Sequence, residues 1–132
     1  MKINITAGEC LNKKLNTKFP NETFIPFNEA MIKKGSNAKL FSQEFIIERS
    51  IVHNISKEEY ENKLYLFLEF LKNIYKYSEV TLWFGYEPFC KKNTETVIQT
   101  LKEFKFNGII TLNIVNEITG EIINSNLIKF YD

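Results

Sequence analysis

A chain of 132 residues has the length of one domain, and its 44% hydrophobic residues are enough to build a core without disulfides or metals. Its 17 basic and 16 acidic residues nearly balance, with a net charge of +1. This balance gives no electrostatic reason to expect nucleic acid or an acidic membrane surface as a partner. The start lacks a signal-peptide pattern, and no run approaches the roughly 18 apolar residues that cross a bilayer. We therefore expect a cytoplasmic protein.

The first part of the chain has the pattern of a strand, a helix and a second strand. The alternating, β-branched residues 2–6 predict the first strand. Leu11, Leu15 and Phe19 then recur at helical spacing before Pro20. Residues 23–27 form a second short strand, in which Pro26 favours an edge position. Residues 29–42 have the composition of a loop, with a helical turn expected at 29–33.

Two helices are predicted next, over 43–54 and 57–77. Ser56 and Glu59 fit a capping box at the start of the second. Apolar residues recur along it at spacings of three and four, and further ones widen the stripe: Tyr60, Leu64, Leu66, Phe67, Leu68, Phe70, Leu71, Tyr75 and Tyr77. One buried face does not need this width, so we expect a second contact, such as a homodimer partner.

The last part of the chain predicts a strand, a helix and a hairpin. Residues 79–85 are apolar on both faces, which is typical of a central strand in a parallel sheet. Pro88 suits the first turn of a helix running to about Phe106. Two strand-like runs around residues 116–120 predict a terminal β-hairpin. The whole order predicts a single α/β domain over 1–132, a Rossmann-like three-layer sandwich whose mostly parallel sheet ends in an antiparallel hairpin.

Polar residues follow the predicted parallel strands at their carboxyl ends. These stretches are Gly8–Glu9, Asn28–Glu29 and Gly85–Tyr86–Glu87. Because open parallel sheets bind ligands outside the carboxyl ends of their strands, we expect these residues to converge on one cleft.

Three stretches resemble a bacterial domain of unknown function, family 1835. They read "ITAGECL", "FNEAM" followed by a glycine, and "LWFGYEPFCKKN", and the resemblance covers roughly residues 3 to 105. Glu9 and Glu87 stand where the family pattern has Asp, and Lys91 where it has Gln. The resemblance implies a Rossmann-like fold in a bacterial protein and no established activity.

Each candidate residue also has a simpler interpretation. Glu9, Glu29 and Glu87 could bind Mg²⁺ or act as acid and base, or could be solvated and capping residues. Arg49, the single arginine, could bind a phosphate or form a structural ion pair with a strand-end glutamate. Cys90 and His53 could form a nucleophilic pair, although a buried thiol is the simpler interpretation.

The remaining candidates are a tryptophan, an asparagine and the lysine pairs. Trp83 lies inside a strand and is expected in the core rather than against a ligand. Asn93 follows Phe89 by one helical turn and is expected to face the cleft or to cap. The lysine pairs at 13–14, 33–34 and 91–92 could attract phosphate, or be ordinary solvated surface.

The sequence predicts a ligand-binding cleft and leaves three functions open. The predicted cleft residues are Gly8, Glu9, Asn28, Glu29, Arg49, Glu87 and Asn93. The leading interpretation is a domain that binds a small polar or phosphorylated ligand, without an assigned cofactor or metal. The alternatives are a hydrolase or transferase that uses the glutamates, and a protein-interaction module that uses helix 57–77.

Overall fold

A computed structural model describes residues 1–31 and 36–130. In these residues five strands and five α-helices follow one another, with a 3₁₀ turn over Ile74–Lys76: β1 (Lys2–Thr6), α1 (Glu9–Lys18), β2 (Phe24–Pro26), α2 (Gln43–Val52), α3 (Lys57–Lys63), α4 (Tyr65–Lys72), β3 (Glu79–Phe84), α5 (Pro88–Glu103), β4 (Ile109–Val115) and β5 (Ile122–Ile128). The predicted helical turn at 29–33 and the Lys33–Lys34 pair fall wholly or partly outside the described residues. Residues 36–42 form the predicted loop.

The five strands form one sheet in the order β2-β1-β3-β4-β5. β1 pairs in parallel with β2 and β3, and β3 pairs in parallel with β4. Only β5 runs antiparallel, as the second strand of a hairpin with β4. The predicted three-layer α/β fold with a carboxyl-terminal antiparallel hairpin is therefore confirmed. β2 is an edge strand, as Pro26 indicated.

The sheet separates two helical layers of unequal size. Alternate residues of β3 point to opposite faces, as the pleat of a strand requires. Val80, Leu82 and Phe84 join the large core beneath α2 to α5, whereas Trp83 joins a smaller core beneath α1. The Trp83 indole Nε1 donates to Asn4 Oδ1 at 2.9 Å, so this ring is a satisfied core residue, as predicted.

The single helix predicted over 57–77 is wrong, because the chain breaks it at Leu64. The capping box at Ser56 and Glu59 is present, but Leu64 adopts φ −106° and ψ 16°, outside helical values. A straight helix of 21 residues would be about 31 Å long, whereas the six-residue strand β3 spans about 20 Å. The break lets α3 and α4 follow the sheet and α2 instead of overshooting them.

Most of the wide apolar stripe on this segment is used inside the chain. Leu64, Phe67, Phe70 and Leu71 are buried. Leu66 and Tyr75 belong to the stripe but are exposed by 49% and 78%. Contacts of α3 and α4 within the domain therefore account for most of the stripe but not for Leu66 and Tyr75, and a second copy on this face stays a prediction.

No helix in the described part of the chain is long and apolar enough to cross a membrane.

Candidate functional site

The seven predicted cleft residues separate into a buried group and an edge group. Glu29, Arg49 and Asn93 are buried. Gly8, Glu9, Asn28 and Glu87 lie at the carboxyl edge of the sheet, where they are partly or fully exposed.

The buried group is centred on an ion pair between Glu29 and Arg49. Arg49 Nε donates to Glu29 Oε2 and Nη2 donates to Oε1, both at 3.0 Å. Both side chains are completely inaccessible to solvent. Arg49 also donates to the Ala30 carbonyl oxygen at 3.1 Å. The structural ion pair expected as the simpler interpretation of Arg49 is present, and it joins the end of β2 to α2.

Two further residues of this cluster were not predicted in it. Tyr60 Oη donates to Glu29 Oε2 at 2.5 Å, and His53 Nε2 contacts Glu29 Oε1. Tyr60 was interpreted as one member of the apolar stripe, and its position on the stripe gives no hint of a polar contact. His53 lies four residues after Arg49 on one helical face, which is the one sequence signal that could have joined them.

Glu29 is held as a carboxylate by this environment. Burial alone would raise its pKa, but hydrogen bonds from Arg49 and Tyr60 and the positive charge of Arg49 outweigh burial and lower the pKa to about 2. Burial and the Glu29 charge raise the pKa of Tyr60 far above its ordinary value, so its hydroxyl remains a donor. Glu29 therefore has a structural role and is not available as a proton acceptor for a substrate.

Asn93 connects this cluster to α5. Its Nδ2 donates to the Glu29 carbonyl oxygen at 2.7 Å, and its Oδ1 accepts from the Met31 backbone N–H at 2.8 Å. These two bonds hold the backbone on both sides of Ala30. The cluster fixes the segment that leaves β2, and thereby positions Asn28 at the edge of the sheet.

Asn28 joins two other elements at that edge. Its Nδ2 donates to Glu9 Oε2 at 2.9 Å and to the Lys63 carbonyl oxygen at 3.1 Å. Lys63 is the last residue of α3, so the break before α4 supplies this carbonyl acceptor. The structure thus brings Glu9 and Asn28 together as predicted.

The two helices that start at the carboxyl edge lack side-chain caps. Gly8 precedes α1 and Glu87 precedes α5, and neither position has a side-chain capping bond. By contrast, Ser42 and Ser56 cap α2 and α3. The first N–H groups of a helix need acceptors, which caps, water or ligands supply. At the start of α5, Pro88 has no N–H and the Cys90 N–H already donates to the Glu87 carbonyl oxygen at 2.9 Å, so α5 offers fewer N–H groups to an outside acceptor than α1 does.

Gly8 has a conformation that only glycine adopts readily. Its φ is 147° and its ψ is −176°. A Cβ atom at this position would meet no other atom within 4 Å. The side of Gly8 where a Cβ would project is therefore open, whereas its carbonyl oxygen accepts from Thr6 Oγ1 at 3.2 Å and from the Asn12 N–H at 3.0 Å.

A small cavity of about 110 Å³ lies at the ends of β3 and β4. It is lined by residues of the two loops that follow these strands: Gly85, Tyr86, Glu87, Val115, Asn116, Glu117 and Ile118. Two larger cavities lie on the α5 side of the sheet. One of about 380 Å³ lies between α5 and residues around Ser36, and one of about 370 Å³, mostly apolar, lies between α5 and β4. The small cavity lies at strand ends where polar side chains gather, and the apolar cavity of about 370 Å³ also reaches Gly85 and Tyr86 at the end of β3.

Cys90 is not set up as a nucleophile. Its Sγ donates to Glu117 Oε2 at 2.9 Å. Burial, with the hydrogen bond to Glu117 and the charge of Glu117, raises the pKa of the thiol to about 12. The thiol therefore stays protonated at neutral pH, where a nucleophile would need the thiolate. Its predicted partner His53 contacts the Glu29 cluster instead, and Cys10 is a free, exposed cysteine.

Three glutamates do not form one acidic site. Glu29 is buried in the cluster with Arg49, whereas Glu9 is the exposed first residue of α1 and Glu87 is exposed just before α5. Within residues 1–31 and 36–130, no group of three or more His, Cys, Asp or Glu side chains could hold a metal ion.

The strand order and the two helical layers define a doubly wound α/β domain. From β1 the chain crosses to β2 on the α1 side, and from β3 it crosses to β4 on the α5 side, so the direction of winding reverses between β1 and β3. Domains of this class bind ligands at this reversal, outside the carboxyl ends of the two strands. Comparisons with protein-family models, with curated proteins and with solved structures find no match. Membership of family 1835 therefore stays a prediction.

Proposed function

We propose that this domain binds a small polar ligand between the loops that follow β1 and β3. The observation that carries the proposal is the pair of uncapped helix starts at Gly8 and Glu87, on neighbouring strands at the reversal of winding. Helix N-termini with free N–H groups favour acceptor oxygens of phosphate, carboxylate or hydroxyl groups.

The surrounding charges narrow the chemistry of this ligand. Glu87 and Glu117 line the small cavity, and Glu9 lies one residue after Gly8. Carboxylates accept hydrogen bonds from hydroxyl groups and repel an anion. A ligand with acceptor oxygens for the helix starts and hydroxyl groups for the glutamates fits best, and a sugar phosphate or a nucleotide has both.

The hydrolase or transferase alternative would depend on Glu9 and Glu87. Glu29 is already bound to Arg49, and the Cys90 thiol is protonated. Glu9 already accepts a hydrogen bond from Asn28 Nδ2 at 2.9 Å. The binding function is therefore the better supported of the two.

Thermal-shift and calorimetric titrations test the proposal with four probes: inorganic phosphate, ribose 5-phosphate, a nucleoside and a nucleoside monophosphate. A ligand that binds only the folded state raises the melting temperature by mass action. We expect a rise with the two probes that combine phosphate and ribose. No rise with any of the four would contradict the proposal.

Two matched variants on α5 locate the site. Glu87→Gln alters the helix start beside the cavity, whereas Glu103→Gln alters the far end of the same helix, about 24 Å away. Screening at physiological salt acts over about 8 Å, so only the first substitution should change binding. Removing the repulsion of Glu87 should strengthen phosphate binding by about fivefold. Equal binding by both variants and by the unmodified chain would rule out this edge as the site.

A further inference from the structure

The two edges of the sheet are protected to different degrees. β2 has three residues and includes Pro26, which cannot donate to a neighbouring strand. β5 has seven residues and pairs with β4 on one side only within the described chain. Its exposed side chains include Ile122, Ile123 and Leu127, and no residue of the strand is charged. A long, uncharged edge with apolar side chains is a template for pairing with another strand.

The sequence across this edge is complementary to itself. Residues 121–129 read Glu-Ile-Ile-Asn-Ser-Asn-Leu-Ile-Lys. If two copies pair antiparallel about a two-fold axis at Ser125, Glu121 lies opposite Lys129 of the second copy, and the apolar residues lie opposite apolar residues. Asn124 then lies opposite Asn126. A two-fold interface requires such self-complementarity, because both copies contribute the same surface and each residue pair therefore occurs twice.

We infer that β5 is a homodimerisation edge that joins two copies into one continuous ten-stranded sheet. Two regular strands of seven residues form about six to eight backbone hydrogen bonds, and the irregular end of β5 lowers this number. An ion pair between Glu121 and Lys129 closes each end of the paired strands, and both of these residues are exposed. The register shift in the β4–β5 pairing skips Ile123, so at each end of the two-fold pairing the irregular Ile122–Ile123 of one copy faces the regular Leu127–Ile128 of the other. This surface differs from the helical face suggested by the apolar stripe.

Charge reversal tests both the interface and its register. Glu121→Lys places two lysines opposite each other at each end of the paired strands, and Lys129→Glu places two glutamates there. Within one chain the two positions are about 27 Å apart, so their charges do not act on each other. Each single variant should weaken dimerisation by about tenfold or more. The double variant Glu121→Lys/Lys129→Glu should restore it, and a mixture of the two single variants should form a heterodimer.

Sedimentation velocity from about 1 µM to about 500 µM measures these dimerisation constants. Circular dichroism melts check that every variant remains folded, which exposed substitutions should allow. Leu66→Lys serves as the control on the exposed part of α4 and should leave the dimer unchanged. A chain that stays monomeric over the whole range would overturn the inference. So would a dimer that Leu66→Lys disrupts, or one that the single charge reversals leave unaffected.

Discussion

Removing the charge of Glu29 should be the most destabilising single change at a polar residue of this domain. Glu29→Gln preserves size and leaves Arg49 fully buried without its bidentate carboxylate partner. Breaking a buried ion pair from one side costs about 3–5 kcal/mol, because the remaining charge is uncompensated. Domains of this kind are stable by about 5–15 kcal/mol, so the loss is a large share of the total.

A double-mutant cycle separates the interaction free energy of Glu29 and Arg49 from the cost of burying one charge after the other has been removed. Arg49→Met removes the other partner, and Glu29→Gln/Arg49→Met removes both. We expect the double variant to lose about 2–3 kcal/mol less than the sum of the single losses, since it leaves no buried charge. Glu61→Gln is the matched control, because Glu61 pairs with Lys57 at 3.9 Å on the surface. Its loss should be below about 0.5 kcal/mol.

Urea denaturation followed by circular dichroism and by Trp83 fluorescence provides the free energies of unfolding. The two signals should report one transition if the domain unfolds in a two-state manner. A loss below about 1 kcal/mol for Glu29→Gln, or single losses that simply add, would refute the view that this ion pair holds the core together.

Two further predictions concern acid stability and glycine packing. The folded pKa of Glu29 lies below its ordinary 4.5, at about 2, so its contribution of about 3 kcal/mol is complete above pH 4.5 and is lost as the pH falls towards 2. The free energy of unfolding, measured by denaturation between these pH values, should depend less on pH for Glu29→Gln than for the unmodified chain. Gly108→Ala should cost about 1–3 kcal/mol, because the new Cβ would lie 2.8 Å from the Ser78 carbonyl carbon and would overlap the rigid backbone. Gly85→Ala should cost less, because it meets the movable end of the Glu117 side chain, and an equal loss of thermal stability in the two variants would contradict this reasoning.

The sequence by itself determined the fold class and most of the elements. Apolar residues that recur every two residues indicated the strands, and those that recur every three or four indicated the helices. These spacings follow directly from the pleat of a strand and the turn of a helix. The apolar β3, with helices before and after it, indicated a central parallel strand. The capping box at Ser56 and Glu59 marked the start of α3 for the same local reason.

Only the tertiary structure decided the break at Leu64 and the composition of the polar cluster. The apolar spacing continues through Leu64, so nothing local distinguishes one long helix from two short ones that wrap a sheet of limited width. The sequence placed Glu29 in a ligand-binding cleft, and it expected Arg49 either to bind a phosphate or to pair with one of the strand-end glutamates without saying which one. Glu29 turned inward instead, because Arg49 and Tyr60 from distant helices supply the charge and hydrogen bonds that make a buried carboxylate stable. Such partners are brought together by packing, and spacing along the chain does not encode them.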